Sequence, residues 1–108
     1  MSGTSRQAEA LALLGLAQRA GAVVKGTRAT RLALRKGEAR LVVMAADGSR
    51  TQREKVLPLA EARKVPLRVL GDRAALGKAM GGGPLTAVAV TRSGFAKKID
   101  ILSGEGQE

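Results

Sequence analysis

The feature that most constrains the fold is an unbroken apolar run over residues 41–46, near the middle of the chain. A strand with one face in water alternates apolar and polar side chains, whereas a strand covered on both faces is apolar along its whole length. The run therefore predicts a strand in the middle of a sheet that carries a layer of helices on each face.

Strand and helix patterns alternate along the rest of the chain. Further strands are predicted over residues 23–24, 65–70 and 85–90. Helical patterns lie before, between and after them, over residues 5–20, 27–36, 49–64, 72–80 and 93–99. Strands separated by helices predict an α/β fold, namely a three-layer α/β/α sandwich with a small four-stranded mixed sheet.

Residues that cap helices mark most of the predicted boundaries. The first and third helices begin with a capping-box pattern, in which Ser or Thr precedes Gln by three residues. Gly37 stands where a left-handed residue ends the second helix, and Pro58 predicts a kink or a restart inside the third. The expected N-cap residues are Thr4 or Ser5, Thr27, Ser49, Asp72 and Ser93.

The charge of the chain indicates its class of partner. Its 108 residues contain 19 lysines and arginines against 9 aspartates and glutamates, which gives a net charge of +10. Such an excess on a protein of this size favours a polyanion, nucleic acid before a membrane. We expect one domain over residues 1–103 and a mobile polar tail over residues 104–108.

The residue types that are missing narrow the function further. The sequence has no cysteine and no histidine, which removes thiol nucleophiles, imidazole bases and the usual ligands of transition metals. Asp47 is the one carboxylate placed where a catalyst could lie, and a turn before a helix is its favoured role. Phe95 is the single aromatic residue, so the chain has almost no aromatic side chains on which unpaired bases could stack. We expect no enzymatic activity, no cofactor and no metal.

The segment over residues 21–37 combines a short strand with the start of a basic helix. A helix start presents unpaired N–H groups and a partial positive charge, so it attracts anions. Lys25 and Gly26 precede this start. Basic residues then recur at spacings of three and four, which predicts a stripe of Arg28, Arg31 and Arg35. The stripe is either an anion-binding surface or a solvated helix face. The positions expected to face the core are Ala29, Leu32, Ala33 and Leu34.

Three glycines and a proline at residues 81–84 precede the last strand. Glycines let a backbone approach phosphates closely, but the phosphate loop of nucleotide hydrolases opens into a helix and carries Gly-Lys-Ser/Thr. This loop opens into a strand, so we reject nucleotide hydrolysis. The loop is either a flexible connector or part of a binding surface.

The N-terminal apolar run over residues 10–17 imitates a secretory signal. A secretory signal is nevertheless disfavoured, because Glu9 precedes the run and the polar residues Gln18 and Arg19 separate it from the small residues that could form a cleavage site. No second apolar segment is long enough to cross a bilayer. We therefore expect a cytoplasmic protein that does not bind a membrane.

Eight short motifs keep a characteristic order and spacing: residues 14–21, 23–27, 35–47, 57–59, 65–66, 76–79, 86–90 and 94–99. In these motifs the chain resembles the kink-turn-binding ribosomal proteins of the L7Ae superfamily. The first and last motifs resemble its bacterial branch, the YlxQ-type ribosomal-protein-like proteins. The resemblance runs from about residue 10 to residue 99 and includes a proline at the position of Pro58.

The resemblance implies a non-enzymatic protein that binds structured RNA. The implied target is ribosomal RNA or another kink-turn-like RNA. A kink-turn is a sharply bent internal loop with sheared G·A pairs. In such proteins the start of the second helix enters the RNA, and the loop before the last strand covers flipped-out nucleotides. The implied RNA-binding residues are Lys25, Gly26, Thr27, Arg28, Arg31, Arg35, Lys78, Met80, Gly81, Gly82, Gly83, Pro84 and Leu85. We expect a monomer, with the ribosome as a further partner.

The chain departs from the family's pattern directly after Gly26 and Thr27. In place of the usual Asn-Glu pair and a lysine further along, it has Arg28, Ala29 and Leu32. An Asn-Glu pair offers acceptors to base amino groups, whereas arginine offers only donors, which suit phosphate oxygens or the acceptor edge of guanine. We expect affinity weighted toward phosphate and shape.

Two other interpretations stay open. The protein could be a ribosome- or translation-associated interaction adaptor, whose charge gives weak and unspecific RNA affinity. It could also be a detached substrate-binding domain of an RNA-modifying enzyme, acting with a separate catalytic chain. Indifference of isolated-RNA binding to Arg28 would favour the adaptor.

Overall fold

The computed structural model describes residues 5–105, in which helices and strands alternate along the chain as the sequence patterns predict. Three of the strands are shorter than their apolar patterns, which continue into the flanking loops, whereas the first strand also includes Lys25. The elements are α1 (Arg6–Arg19), β1 (Val23–Lys25), α2 (Thr27–Arg35), β2 (Leu41–Met44), α3 (Arg50–Ala62), β3 (Leu67–Val69), α4 (Arg73–Ala79), β4 (Ala87–Val90) and α5 (Ser93–Glu105).

The four strands form one mixed sheet in the order β1-β4-β2-β3. Strand β4 runs antiparallel to both of its neighbours, with Val90 opposite Val23 and Leu41, whereas β2 and β3 are parallel. Every residue of the two inner strands is buried. The prediction that residues 41–46 supply a central, doubly covered strand is therefore confirmed, and so is the mixed sheet.

Alternate residues of the central strands contribute to two separate cores, because successive side chains of a strand point to opposite faces. Leu41 and Val43 pack with residues of α1, α4 and α5. Val42 and Met44 pack with residues of α2 and α3. The molecule is thus the predicted three-layer α/β/α sandwich. Phe95 packs against the first core, as expected.

Three of the predicted N-caps are confirmed. The side chains of Ser5, Ser49 and Asp72 accept hydrogen bonds from backbone N–H groups three residues later, at 3.0, 3.1 and 2.8 Å. The alternative first cap, Thr4, lies outside the described residues. Helix α3 passes through Pro58 without a restart. Ser93, expected as the N-cap of the last helix, is instead the first residue of α5, because the Ala96 N–H already bonds to the carbonyl of Arg92. Helix α5 reaches Glu105, and the mobile tail predicted over residues 104–108 lies partly outside the described residues and stays a prediction.

Two expectations for α2 are wrong. Its N-cap is Gly26, with no side-chain cap, and Thr27 is already the first helical residue. Leu32, expected in the core, is 51% exposed, whereas Thr30 is fully buried beside Ala33 and Leu34. At 100° per residue, Leu32 lies about 200° around the helix from Thr30, so it points away from the sheet. Gly37 does end this helix, with a positive φ of 72°.

Candidate nucleic-acid interface

One edge of the sheet gathers the starts of three helices. Strands β1, β2 and β3 run in the same direction, so their carboxyl ends share an edge with the start of β4. Helices α2, α3 and α4 each begin after one of these ends. Ligands of open α/β sheets bind at this kind of edge.

Long-range backbone hydrogen bonds connect the loops of this edge to the start of β4. The N–H of Gly26 donates to the carbonyl of Ala87 at 2.9 Å, and the N–H of Ala45 donates to the carbonyl of Thr86 at 2.8 Å. Gly48 lies so close that an added Cβ would meet the Thr86 methyl group at 2.6 Å. The β1–α2 turn and the β2–α3 loop are therefore both held beside residues 86–87.

The β1–α2 turn begins α2 without any side-chain cap. Gly26 has a φ of 99°, a conformation that glycine adopts at little cost. The first turn of α2 contains no acidic residue and Gly26 provides no side-chain cap, so neither a side-chain acceptor nor a negative charge within that turn compensates the positive end of the helix dipole. The turn is therefore suited to an anion.

The cations around this turn are accessible and unpaired. Lys25 and Arg28 are exposed, and Arg31 is half-buried. Within residues 5–105, no carboxylate lies in ion-pair range of these three side chains, whereas Lys36, Arg50, Arg68 and Arg73 each have an acidic partner. Arg35 is exposed at the last turn of α2, about 12 Å along the axis from Thr27. It therefore lies away from the edge.

Residues 81–84, the glycine loop, pack directly against α4. An added Cβ on Gly77 would meet the carbonyl oxygen of Gly83 at 1.9 Å, and the N–H of Gly82 donates to the Gly77 carbonyl at 2.9 Å. Gly77 thus allows the loop backbone to lie directly against the helix. The loop then leads into Leu85, whose N–H donates to the carbonyl of Arg73 at 3.1 Å.

The predicted loop residues differ in exposure. Lys78 and residues 81–84 are exposed. Met80 is only 4% exposed and packs in the core, and Leu85 is half-buried against the same core. The side chains of Met80 and Leu85 therefore pack toward the core on either side of the loop. The exposed surface of this region consists of glycine backbone, Pro84 and Lys78.

A groove between α2 and α3 adds two residues that the sequence patterns did not single out. It is lined by Thr27, Arg28 and Arg31 from α2 and by Gln52 and Lys55 from α3. Gln52 and Lys55 are three residues apart, so they share one helix face. The sequence contains that spacing, but not the information that this face of α3 adjoins the start of α2.

Asp47 has a structural role at this edge. Its Oδ1 accepts a hydrogen bond from the Arg73 N–H at 2.8 Å, and its Oδ2 lies 3.6 Å from Arg73 Nε. The carboxylate therefore anchors the β2–α3 loop to the start of α4, as the sequence interpretation favoured. Over residues 5–105, no group of three or more acidic side chains could hold a metal ion, and no helix has the length and apolarity needed to cross a membrane.

Comparisons with known proteins agree with this architecture. A family model described as "Ribosomal protein L7Ae/L30e/S12e/Gadd45 family" matches residues 8–100. The chain is 39% identical to RNA-binding protein YlxQ of Bacillus subtilis (strain 168) over 90 residues, which cover 83% of this chain and 90% of that protein. It is 34% identical to RNA-binding protein YlxQ of Enterococcus faecium over 94 residues, 87% of this chain and 90% of that protein.

Solved structures share the fold. A protein of unknown function from Bacillus halodurans C superimposes with a TM-score of 0.85 at 30% identity, over 93% of this chain and 98% of that one. The Giardia lamblia 15.5kD RNA binding protein superimposes with a TM-score of 0.78 at 24% identity, over 99% of this chain and 92% of that one. The arrangement of helices around the mixed sheet is therefore common to these proteins.

Proposed function

Because the chain belongs to the ribosomal protein L7Ae/L30e/S12e/Gadd45 family, we propose that it binds structured RNA in the cytoplasm, as a monomer and without catalysis. The RNA contacts the β1–α2 turn and the glycine loop. The observation that carries the proposal is the start of α2, which has no cap and no acidic residue and is flanked by the exposed Lys25 and Arg28.

Three further observations support this function. The relatives with 39% and 34% identity are named RNA-binding proteins. The net charge of +10 favours a polyanion. The exposed glycine loop leads into the same end of β4, and the exposed Lys78 lies in the last turn of α4, just before that loop, so one RNA can span the turn and the loop.

We further propose that the target is a kink-turn-like RNA, with ribosomal RNA as the first candidate, and that the protein binds it mainly through its phosphates. Arg28 offers only donors, which suit phosphate oxygens or the acceptor edge of guanine. Contacts to roughly four to six phosphates would give a log–log salt slope of around −3 to −5. Binding to a kink-turn and to the same RNA with its G·A pairs changed separates the two levels of the proposal, since equal affinity would remove kink-turn recognition and leave RNA binding.

The decisive variant is Lys25→Ala/Arg28→Ala, which removes two unpaired cations from the α2 start. We expect RNA affinity to fall roughly 10- to 100-fold, because each lost charge-assisted contact costs about 1 kcal/mol or more, and the magnitude of the salt slope to fall by about 2. Filter binding or fluorescence anisotropy at several salt concentrations measures both.

The matched control is Arg92→Ala/Lys97→Ala. It removes the same charge, but Arg92 follows the carboxyl end of β4, at the opposite edge of the sheet, and Lys97 lies on α5. We expect less than a threefold change in affinity. Equal losses in the two double variants would mean that net charge, and not the α2 start, determines binding.

A second function, that of a ribosome- or translation-associated adaptor, is favoured by one observation. A groove of about 320 Å³ between α1 and α5 is lined by Leu13, Phe95, Gly94, Arg92 and Lys98. Here the only aromatic residue is half-buried between cations. An adaptor would bind isolated RNA weakly and with equal affinity before and after loss of Arg28.

A further inference from the structure

The groove between α2 and α3 is a defined concave feature beside the α2 start. It has a volume of about 330 Å³ and five lining residues, Thr27, Arg28, Arg31, Gln52 and Lys55. That volume corresponds to roughly ten water molecules at about 30 Å³ each, which is ample for one tetrahedral anion and its remaining hydration. All five residues carry hydrogen-bond donors on their side chains.

Arg31, one of the lining residues, contains an unusual buried group. Its Nε atom is buried and has no hydrogen-bond partner within residues 5–105. Buried N–H groups are nearly always hydrogen-bonded, because loss of water without a replacement acceptor costs free energy. Arg31 therefore has an unpaired buried donor at Nε, and its side chain also lines the groove. Because the side chain is half-buried, its neighbours restrict it more than those of a fully exposed arginine do.

The charges of the groove all have one sign. Arg28, Arg31 and Lys55 line it, and no carboxylate does. Glu54 is adjacent to Lys55 in the chain, but its Oε2 pairs with Arg50 Nε at 3.2 Å. The cations of the groove therefore keep their charge available for an external anion.

Resting on the RNA-binding function proposed above, we propose that the α2–α3 groove binds one backbone phosphate of the RNA, with Arg31 and Lys55 as its principal donors. The Arg31 guanidinium offers Nη–H groups that can donate to two phosphate oxygens, while its Nε is buried behind them. Lys55 supplies a point charge from α3, and Gln52 supplies amide donors from the same helix face. The site extends the RNA interface from the start of α2 onto α3.

A phosphate fits this groove better than an isolated carboxylate does. The groove begins at Thr27 and Arg28, which also form the first turn of α2. An RNA strand that places one phosphate against the helix start therefore carries its next phosphates along the surface toward Arg31 and Lys55. Successive phosphates on one strand can occupy both positions.

The first test is Lys55→Ala against Lys97→Ala, two exposed lysines that differ in helix and layer. We expect Lys55→Ala to weaken binding of a kink-turn RNA three- to tenfold and to lower the magnitude of the salt slope by about 1. Lys97→Ala should stay within twofold of wild type. If both variants bind alike while Lys25→Ala/Arg28→Ala loses affinity, the groove site is refuted and the RNA-binding function stands.

The second test does not depend on RNA. The Nε–H resonance of Arg31 is followed by ¹⁵N NMR during titration with inorganic phosphate, at constant ionic strength set by chloride, in wild type and in Lys55→Ala. A saturable shift that is weakened in Lys55→Ala supports the groove site even if wild type binds no RNA, which would refute the proposed function alone. No phosphate-specific shift, or an equal shift with acetate, overturns the groove site.

Discussion

Gly77→Ala tests whether backbone contact with α4 holds the glycine loop in place. Helix propensity predicts that the substitution raises the free energy of unfolding, whereas packing predicts that it lowers it. Gly77 is a buried residue inside α4, where alanine is the better helix former by about 1 kcal/mol. The added methyl carbon, however, would lie 1.9 Å from the Gly83 carbonyl oxygen and 2.5 Å from its carbonyl carbon. Since these are backbone atoms, a change of rotamer cannot relieve the overlap.

The structure sets the size of the expected effect. The loop backbone would have to withdraw from α4 by about 1.5 Å to reach van der Waals contact, which removes the 2.9 Å hydrogen bond from Gly82 N–H to the Gly77 carbonyl. Overpacking costs about 1–3 kcal/mol and a lost hydrogen bond about 1 kcal/mol. After the propensity gain, we expect a net loss of about 1–3 kcal/mol in the free energy of unfolding.

Urea denaturation measures this loss, with Gly94→Ala as the matched control. Gly94 lies in the first turn of α5, and an added Cβ there meets nothing within 4 Å, so the same substitution should leave stability equal or raise it by up to about 1 kcal/mol. We also expect Gly77→Ala to weaken RNA binding by displacing residues 81–84. Stability of Gly77→Ala at or above wild type would refute the argument that backbone contact holds the loop.

Two further substitutions test the supports of the same edge. Gly26→Ala forces a non-glycine residue to a φ of 99°, so we expect a loss of about 1–3 kcal/mol in the free energy of unfolding, and an unchanged midpoint of urea denaturation would contradict this. Asp47→Ala removes the acceptor of the Arg73 N–H and a partner 3.6 Å from its side chain. We expect it to cost about 1–2 kcal/mol, as measured by thermal unfolding, whereas Glu61→Ala on an exposed position of α3 should stay within about 0.5 kcal/mol.

Features of the fold that depend on local chemistry could be predicted from the sequence. The apolar run over residues 41–46 predicts the layering because burial on both faces removes the need for polar positions. Ser49 and Asp72 are recognisable as caps because each bonds to a backbone N–H three residues away. Neither conclusion needs knowledge of distant parts of the chain.

The errors at α2 arise from long-range contacts. Thr27 is not the cap, because the Gly26 N–H bonds to Ala87 and the positive φ of Gly26 starts the helix one residue earlier. The sheet, which the helix sequence alone does not locate, sets the rotation of α2, so Thr30 faces the core and Leu32 faces solvent.

The groove residues Gln52 and Lys55 could not be predicted without the strand order. From β1 to β2 and from β2 to β3 the chain moves in the same direction across the sheet. Two such crossovers with the usual right hand place their helices on the same face, so α2 and α3 become neighbours. Only with that order known does the spacing of Gln52 and Lys55 on α3 point toward Arg31.

Net charge and local geometry make different contributions to the proposed RNA binding. A charge of +10 attracts any polyanion and raises the rate of encounter, but it does not select an orientation. Orientation requires cations that are both unpaired and fixed in place. The uncapped start of α2 and the half-buried Arg31 meet that requirement, and the hydrogen bond from Gly26 to Ala87 holds the turn beside the start of β4. The proposed RNA partner should therefore bind in one orientation against this edge, with its phosphates as the points of contact.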